Sequence, residues 1–224
     1  MPIIELGGII ETHERNGFSI ELCFASYDYI DDLCNIVNWA YRGKPSATNS
    51  KETYSGWIGE EHLLSGTRIL PYQLKEYIDK MEQNKENPDT IIIAAKFINT
   101  DIPHKKEIVG CIKVELYDSN LQPLEEKQDG TAIEIGLHAV DPDYQSKGIG
   151  TLVYNAAIRV SKEHMNAKRV YLHIIASKTN QIDLKIRQGF INTGRYVPFS
   201  DIDQFVPKVN RELLKFAVLT KTIE

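Results

Sequence analysis

Little in this 224-residue chain points to a disulfide scaffold, a metal centre or a membrane protein. Cysteine is sparse. Cys23, Cys34 and Cys111 lie far apart, are odd in number and show no CxxC or other metal-ligand spacing, which favours a reducing compartment and gives no metal to expect. No apolar run approaches the roughly 20 residues of a membrane span. The early apolar cluster of Ile3, Ile4, Leu6, Ile9 and Ile10 is broken by glycines and acids, with no basic leader or cleavage-like end, so no signal peptide is read there. Positive charge is short as well: 26 Lys and Arg stand against 31 Asp and Glu, the net charge is -5, and no basic stripe is available to neutralise a nucleic-acid backbone. A cytoplasmic protein with neither nucleic-acid nor membrane partners is expected. Repeats and low-complexity runs are also missing. The length suits one well-filled core, so a single domain over 1–224 is expected, with 1–17 as an N-terminal extension.

What is present is an alternation of strand and helix periods. Over residues 18–24, Phe18, Ile20, Leu22 and Phe24 alternate with Ser19, Glu21 and Cys23, the period of a half-buried strand. The period then changes, and Ile30, Leu33, Ile36, Val37, Ala40 and Tyr41 fall on one helical stripe behind Asp28 and Asp31. Residues 42–66 are polar and irregular, a loop placed to shape a pocket or cover an edge. Pro71 suits a first helical turn, with Leu74, Tyr77, Ile78 and Met81 as its stripe. Strands are expected over 90–97 and 108–117, joined by a charged loop around 103–106, and a charged, turn-like stretch over 118–130 leads to a strand over 132–140. A helix over 150–165, a strand over 170–175, a short helix over 179–188, a strand from Phe190 and a last strand over 213–220 complete the chain. This order implies an α/β fold whose mixed sheet carries helices on both faces.

The window 134–151, reading EIGLHAVDPDYQSKGIGT, carries the chemistry. A strand runs into Asp141-Pro142, then a turn with Gln145, Ser146, Lys147, Gly148, Ile149 and Gly150, then a helix. Unpaired N–H groups and partial positive charge at a helix N-terminus attract phosphate, and glycine lets it approach the backbone. Ser146 and Lys147 add a hydroxyl and a cation. A P-loop is excluded because Gly43-Lys44 is followed by Pro45 and does not follow a strand. A dinucleotide fingerprint is excluded because Val153 stands where the third glycine belongs.

The remaining pattern, Gln145, Gly148 and Gly150 after a strand ending at Asp141-Pro142, with Gly189-Phe190 closing a later helix, resembles the acetyl-CoA loop of the GNAT acetyltransferases. In element order the resemblance covers 18–41 and 90–199. A subset of that family is similar also in Ala40-Tyr41-Arg42-Gly43, in the spacing of Trp57, Glu61, Leu64, Gly66 and Arg68, and in Val197-Pro198-Phe199. The resemblance implies a mostly antiparallel sheet of six to seven strands, acetyl-CoA as co-substrate, and a cofactor-binding core over 134–190. It implies that the pantetheine arm lies against the backbone of Leu137, Ala139 and Val140, where a bulge turns an N–H toward the thioester oxygen. The pyrophosphate would meet residues 145–151, ending at Thr151.

Glu134, on the same strand, is the best-placed carboxylate to take the amine proton through water, and His138 is a second candidate. Both have bland readings, a salt-bridged strand residue and a packed histidine, and His173 shares the second. Where the family often has a tyrosine beside the departing thiolate stands Lys185. Where it has asparagine stands Lys178, with Asn180 two places away. Tyr41, Arg42, Trp57, Arg68 and Tyr196 are candidates for the acceptor side. Three functions stay open: acetylation of a small amine, acetylation of a peptide amine, or acyl-CoA binding without catalysis, in a monomer or homodimer.

Overall fold

The computed structural model describes residues 3–15, 17–46, 53–54, 56–99, 106–117, 131–199 and 204–223. The chain enters through β1 (Ile9–Arg15), β2 (Phe18–Phe24) and α1 (Ile30–Arg42). The short strands β3 (Lys44–Pro45) and β4 (Thr53–Tyr54) pair with each other, and β5 (Leu64–Gly66) precedes α2 (Pro71–Gln83). Then come β6 (Thr90–Asn99), β7 (Lys106–Leu116), β8 (Thr131–Val140), α3 (Ile149–Met165) and β9 (Ala167–Ile175). The chain closes with α4 (Thr179–Arg187), β10 (Ile191–Val197), β11 (Phe205–Pro207) and β12 (Phe216–Thr222).

One eight-stranded sheet is ordered β1-β2-β6-β7-β8-β9-β12-β10, and every neighbouring pair is antiparallel except β8 with β9. Residues 90–95 of β6 are buried in unbroken succession, which requires cover on both faces of the sheet. α1 and α2 pack on each other and on β6 to β8, and α3 packs along β2 and β6 to β9. The stripe read on α1 is the buried one, with Leu33, Ile36, Val37 and Ala40 inward. At the start of α2, Pro71 occupies the first turn and the Leu70 N–H donates to Gln73 Oε1 at 2.9 Å.

Eight strands stand where six to seven were expected. The addition is β1, inside the segment read as an extension. Its side chains are mostly exposed, so no apolar period marks it, and it is held by its ladder with β2. The last strand is shifted too: Arg211–Leu213 form a 3-10 turn and pairing begins at Phe216. Within the polar 42–66 stretch, β5 pairs with β11, a contact between segments some 140 residues apart that no local period records. The expected turn-like stretch 118–130 lies outside the described residues, as does 103–105 of the charged loop. The three cysteines are buried and free.

Candidate active site

β8 and β9 pair in parallel only from Thr131 with Ala167 to Glu134 with Tyr171. Beyond that point both strands continue, so the sheet opens between Gly136, His138 and Val140 on one side and Leu172 to Ile175 on the other. A cleft of about 830 Å³ fills the opening. On the far side of β8 the ladder with β7 slips between Cys111–Ala139 and Lys113–Gly136, leaving Leu137 and His138 opposite Ile112 alone. Leu137 takes φ +48 there, a conformation that costs a branched residue about 1–3 kcal/mol. The bulge twists β8 away from its neighbour at the point where the cleft begins.

The turn into α3 is tight and open to the outside. Ser146 and Gly148 both have positive φ, +63 and +80, and Ser146, Lys147 and Gly148 are exposed. The first bonds into this turn come from the Thr151 and Leu152 N–H groups to Gly148 O, both 3.1 Å, leaving those of Ile149 and Gly150 without a backbone acceptor among the described residues. Gly150 and Thr151 line the cleft, so the Gly150 N–H stands at its rim, with that of Ile149 one residue before it. Gln145 acts as a strut, since its Nε2 donates to Val140 O at 3.0 Å and its Oε1 accepts from the Trp57 N–H at 2.9 Å. Lys44, excluded as a P-loop lysine, donates to the Asp141 carboxylate at 2.7 and 2.8 Å and to Asp143 at 2.6 Å, fixing the end of β8.

Inside the cleft Glu134 Oε1 lies 2.8 Å from His173 Nδ1. His138 also lines it, but its Nε2 donates to Gly150 O at 3.0 Å, and desolvation, then the nearby Lys185 charge, push its pKa down to about 4. A neutral imidazole bonded to the first turn of α3 braces that turn. Lys185 lines the cleft with its ammonium 5.1 Å from the centre of the Tyr154 ring. Burial, and then Lys221, hold its pKa below the usual lysine value. The Tyr154 hydroxyl is buried without a hydrogen-bond partner among the described residues, and burial raises its pKa to about 12.

Of the acceptor-side candidates, Tyr41, Arg42, Trp57 and Arg68 line the cleft, together with Phe199, Phe205 and Phe216. Tyr196 does not: it is 54% exposed on β10 under the Lys215 ammonium. Asn180 is exposed, and Lys178 donates to the carbonyls of Ile58 (2.8 Å) and Gly59, tying down the loop that carries Trp57. Sequence reasoning missed Tyr154, Asn155 and Glu60. The first two had a signal: with Leu152, Val153, Ala156 and Val160 inward, positions 150, 151, 154 and 155 share the opposite face of α3. Among the described residues no three side chains of metal-ligand type are grouped, and no helix is long and apolar enough to cross a membrane.

A split sheet with a strained bulge beside an open helix N-terminus defines the scaffold of an acyltransferase. The acetyltransferase (GNAT) family model matches residues 59–190, more than half of the chain, and the protein belongs to that family. No curated protein matches the chain. Among solved structures it is similar to the spermidine/spermine N-acetyltransferase SpeG of Vibrio cholerae in complex with manganese ions (TM-score 0.52, 15% identity, 91% of this chain and 92% of that one). It is similar also to the yncA protein of Salmonella typhimurium with its cofactor acetyl-CoA (TM-score 0.54, 12% identity, covering 92% and 94%). An N-acetyltransferase of Staphylococcus aureus Mu50 gives a TM-score of 0.55 at 12% identity, covering 92% and 99%. Identities this low establish a shared fold.

Proposed function

We propose that this protein, acting as one domain, transfers the acetyl group of acetyl-CoA to the amine of a small molecule or peptide. The observation that carries the reading is the open helix N-terminus at Ile149 and Gly150, of which Gly150 lines the rim of a cleft whose wall holds the Glu134 carboxylate. Acetyl-CoA bound by the Salmonella protein of the same fold supports the choice of donor. Residues 145–151 then hold the pyrophosphate, chiefly through backbone, and the stretch of β8 from Leu137 through Ala139 to Val140, where it has parted from β9, holds the pantetheine arm and polarises the thioester carbonyl through the backbone groups that face the opening.

When bound, acetyl-CoA supplies the thioester carbon that the amine attacks. Glu134 takes the proton that the amine must lose, directly or through water, and His173 orients its carboxylate. Lys185 places positive charge beside the sulfur as it becomes negative. Lys178 and Asn180 have no cofactor role in this reading, since neither lines the cleft. The alternative, acyl-CoA binding without catalysis, draws only on Lys185 standing where the family has tyrosine.

Calorimetry with acetyl-CoA and free-thiol release over a panel of amines and peptides test the proposal together. Gly148→Asp is the informative variant: a Cβ at this position meets nothing within 4 Å, aspartate is among the residues that most often accept the backbone strain of φ +80, and its carboxylate faces the phosphates, with thermal unfolding checking that the variant is folded. Affinity is expected to fall at least about tenfold. Undiminished affinity in the folded variant removes the phosphate site, and tight binding without thiol release from any acceptor favours the non-catalytic module.

A further inference from the structure

From the acceptor end of the cleft we infer that the amine acetylated here also carries a carboxylate, read by Arg42 and Arg68. This rests on the acetyltransferase reading and adds the chemical class of its acceptor. The Arg42 side chain is only 10% exposed. Its Nη1 is satisfied by Glu60 Oε2 at 2.8 Å and its Nε by Gly66 O at 3.2 Å, whereas its Nη2 is buried with no hydrogen-bond partner among the described residues. Arg68 is held by rings alone: its guanidinium lies 5.1 Å from the centre of Tyr41 and 5.8 Å from that of Phe205, and none of its side-chain N–H groups bonds to a described residue. Arg42 shares the Phe205 ring at 5.5 Å. Two guanidinium groups therefore converge on one aromatic ring, and among the described residues Glu60, bonded to Arg42, is the only carboxylate paired with either of them.

Buried donors without acceptors and an unmatched positive charge are costly unless something supplies both. Guanidinium forks in a cleft match a planar carboxylate. A phosphate dianion would surrender more hydration among the rings of Tyr41, Phe199, Phe205 and Phe216, which lowers its claim. A polycation is disfavoured, because its second ammonium would meet Arg42 and Arg68. The other charged carboxylate in the cleft, Glu134, is engaged by His173 and stands on β8, a different wall. An acceptor with an amine at one end and a carboxylate at the other satisfies both walls.

The test measures kcat/KM, by thiol release, for α- and ω-amino acids, their decarboxylated or amidated counterparts, phosphoethanolamine beside ethanolamine, and spermidine. Calorimetry of the N-acetylated acids and amines into the CoA-bound protein reads the same preference without turnover. Carboxylates should be favoured about tenfold or more, and Arg68→Gln should erase the preference in both measurements while Arg68→Glu shifts it toward diamines. Equal or better use of the neutral counterparts, of spermidine or of phosphoethanolamine overturns the inference. A carboxylate preference that survives Arg68→Gln, or no binding of any acetylated acid to protein that holds CoA, overturns it as well. These failures leave acetyl-CoA affinity intact, whereas failure of the acetyltransferase reading shows first as loss of that affinity and takes this inference with it.

Discussion

Glu134 and His173 meet at 2.8 Å, carboxylate to Nδ1, just past the last paired residues of the parallel ladder. Glu134 pairs in register with Tyr171, so the contact with His173 is a diagonal one across the strands, two residues further along β9. It is available only because the strands begin to separate there, which leaves room for both side chains at the head of the cleft. The hydrogen bond assigns the proton of a neutral ring to Nδ1.

That pairing predicts the behaviour of two variants. Glu134→Gln should lower turnover roughly a hundredfold near neutral pH, with a smaller loss at high pH where amines deprotonate unaided. His173→Phe keeps the carboxylate but frees its orientation, and a loss of about tenfold in turnover with little change in acetyl-CoA affinity is expected. Steady-state pH profiles check both. Losses under about threefold at every pH in Glu134→Gln would place the proton acceptor elsewhere.

Lys185 gives a second prediction. A lysine at its ordinary pKa near 10.4 is a weaker acid than a thiol near 8.5, so proton transfer to the thiolate is uphill. Burial and Lys221 narrow that gap, and the side chain faces the cleft rather than the solvent that a short polar helix would offer it. Lys185→Met should therefore cost about tenfold to a hundredfold in turnover while acetyl-CoA affinity barely moves. Tyr154→Phe is its companion. Removing an unpartnered buried hydroxyl should leave stability unchanged or slightly higher, so any fall in turnover measures what that hydroxyl does in the reaction.

His138 makes stability pH-dependent in a defined direction. Its folded pKa of about 4 lies below the unfolded value of about 6.5, so between these the unfolded chain binds the extra proton. The contribution is present in full above the upper value and is lost as pH falls toward the lower. Urea unfolding at pH 7 and pH 5 should differ by up to about 2 kcal/mol from this group. His138→Gln, which can still donate to Gly150 O, should lose that component, and an unchanged pH slope would show that His138 is not the group responsible.

The strand and helix periods were legible because one stretch of chain suffices to display them. α1, with its continuous inward stripe, and α2, opened by Pro71, begin close to where the periodicity puts them. β1 was not legible: with its side chains mostly exposed, what holds it is a ladder to β2, and hydrogen bonds between main chains leave no side-chain pattern. At the site, Gly148 and Gly150 were readable because a tight turn at a helix entry constrains residue type. Lys178 was readable as a position only, since the partners of its ammonium, the carbonyls of Ile58 and Gly59, lie some 120 residues earlier in the chain.

By itself the sequence determined the order of the three long helices and the seven periodic strands, the glycine turn at the head of α3 and the placing of Glu134 on the strand before it, all consequences of short-range sterics and periodicity. Only the tertiary structure decided which side chains face one another across the cleft. The 2.8 Å contact of Glu134 with His173, the Lys185 ammonium over Tyr154, and the meeting of Arg42 and Arg68 on Phe205 each join residues from separate elements. Such contacts depend on where the sheet splits and how α1, α3 and α4 settle on it. Packing of the whole core sets those positions, and no local stretch of sequence encodes them.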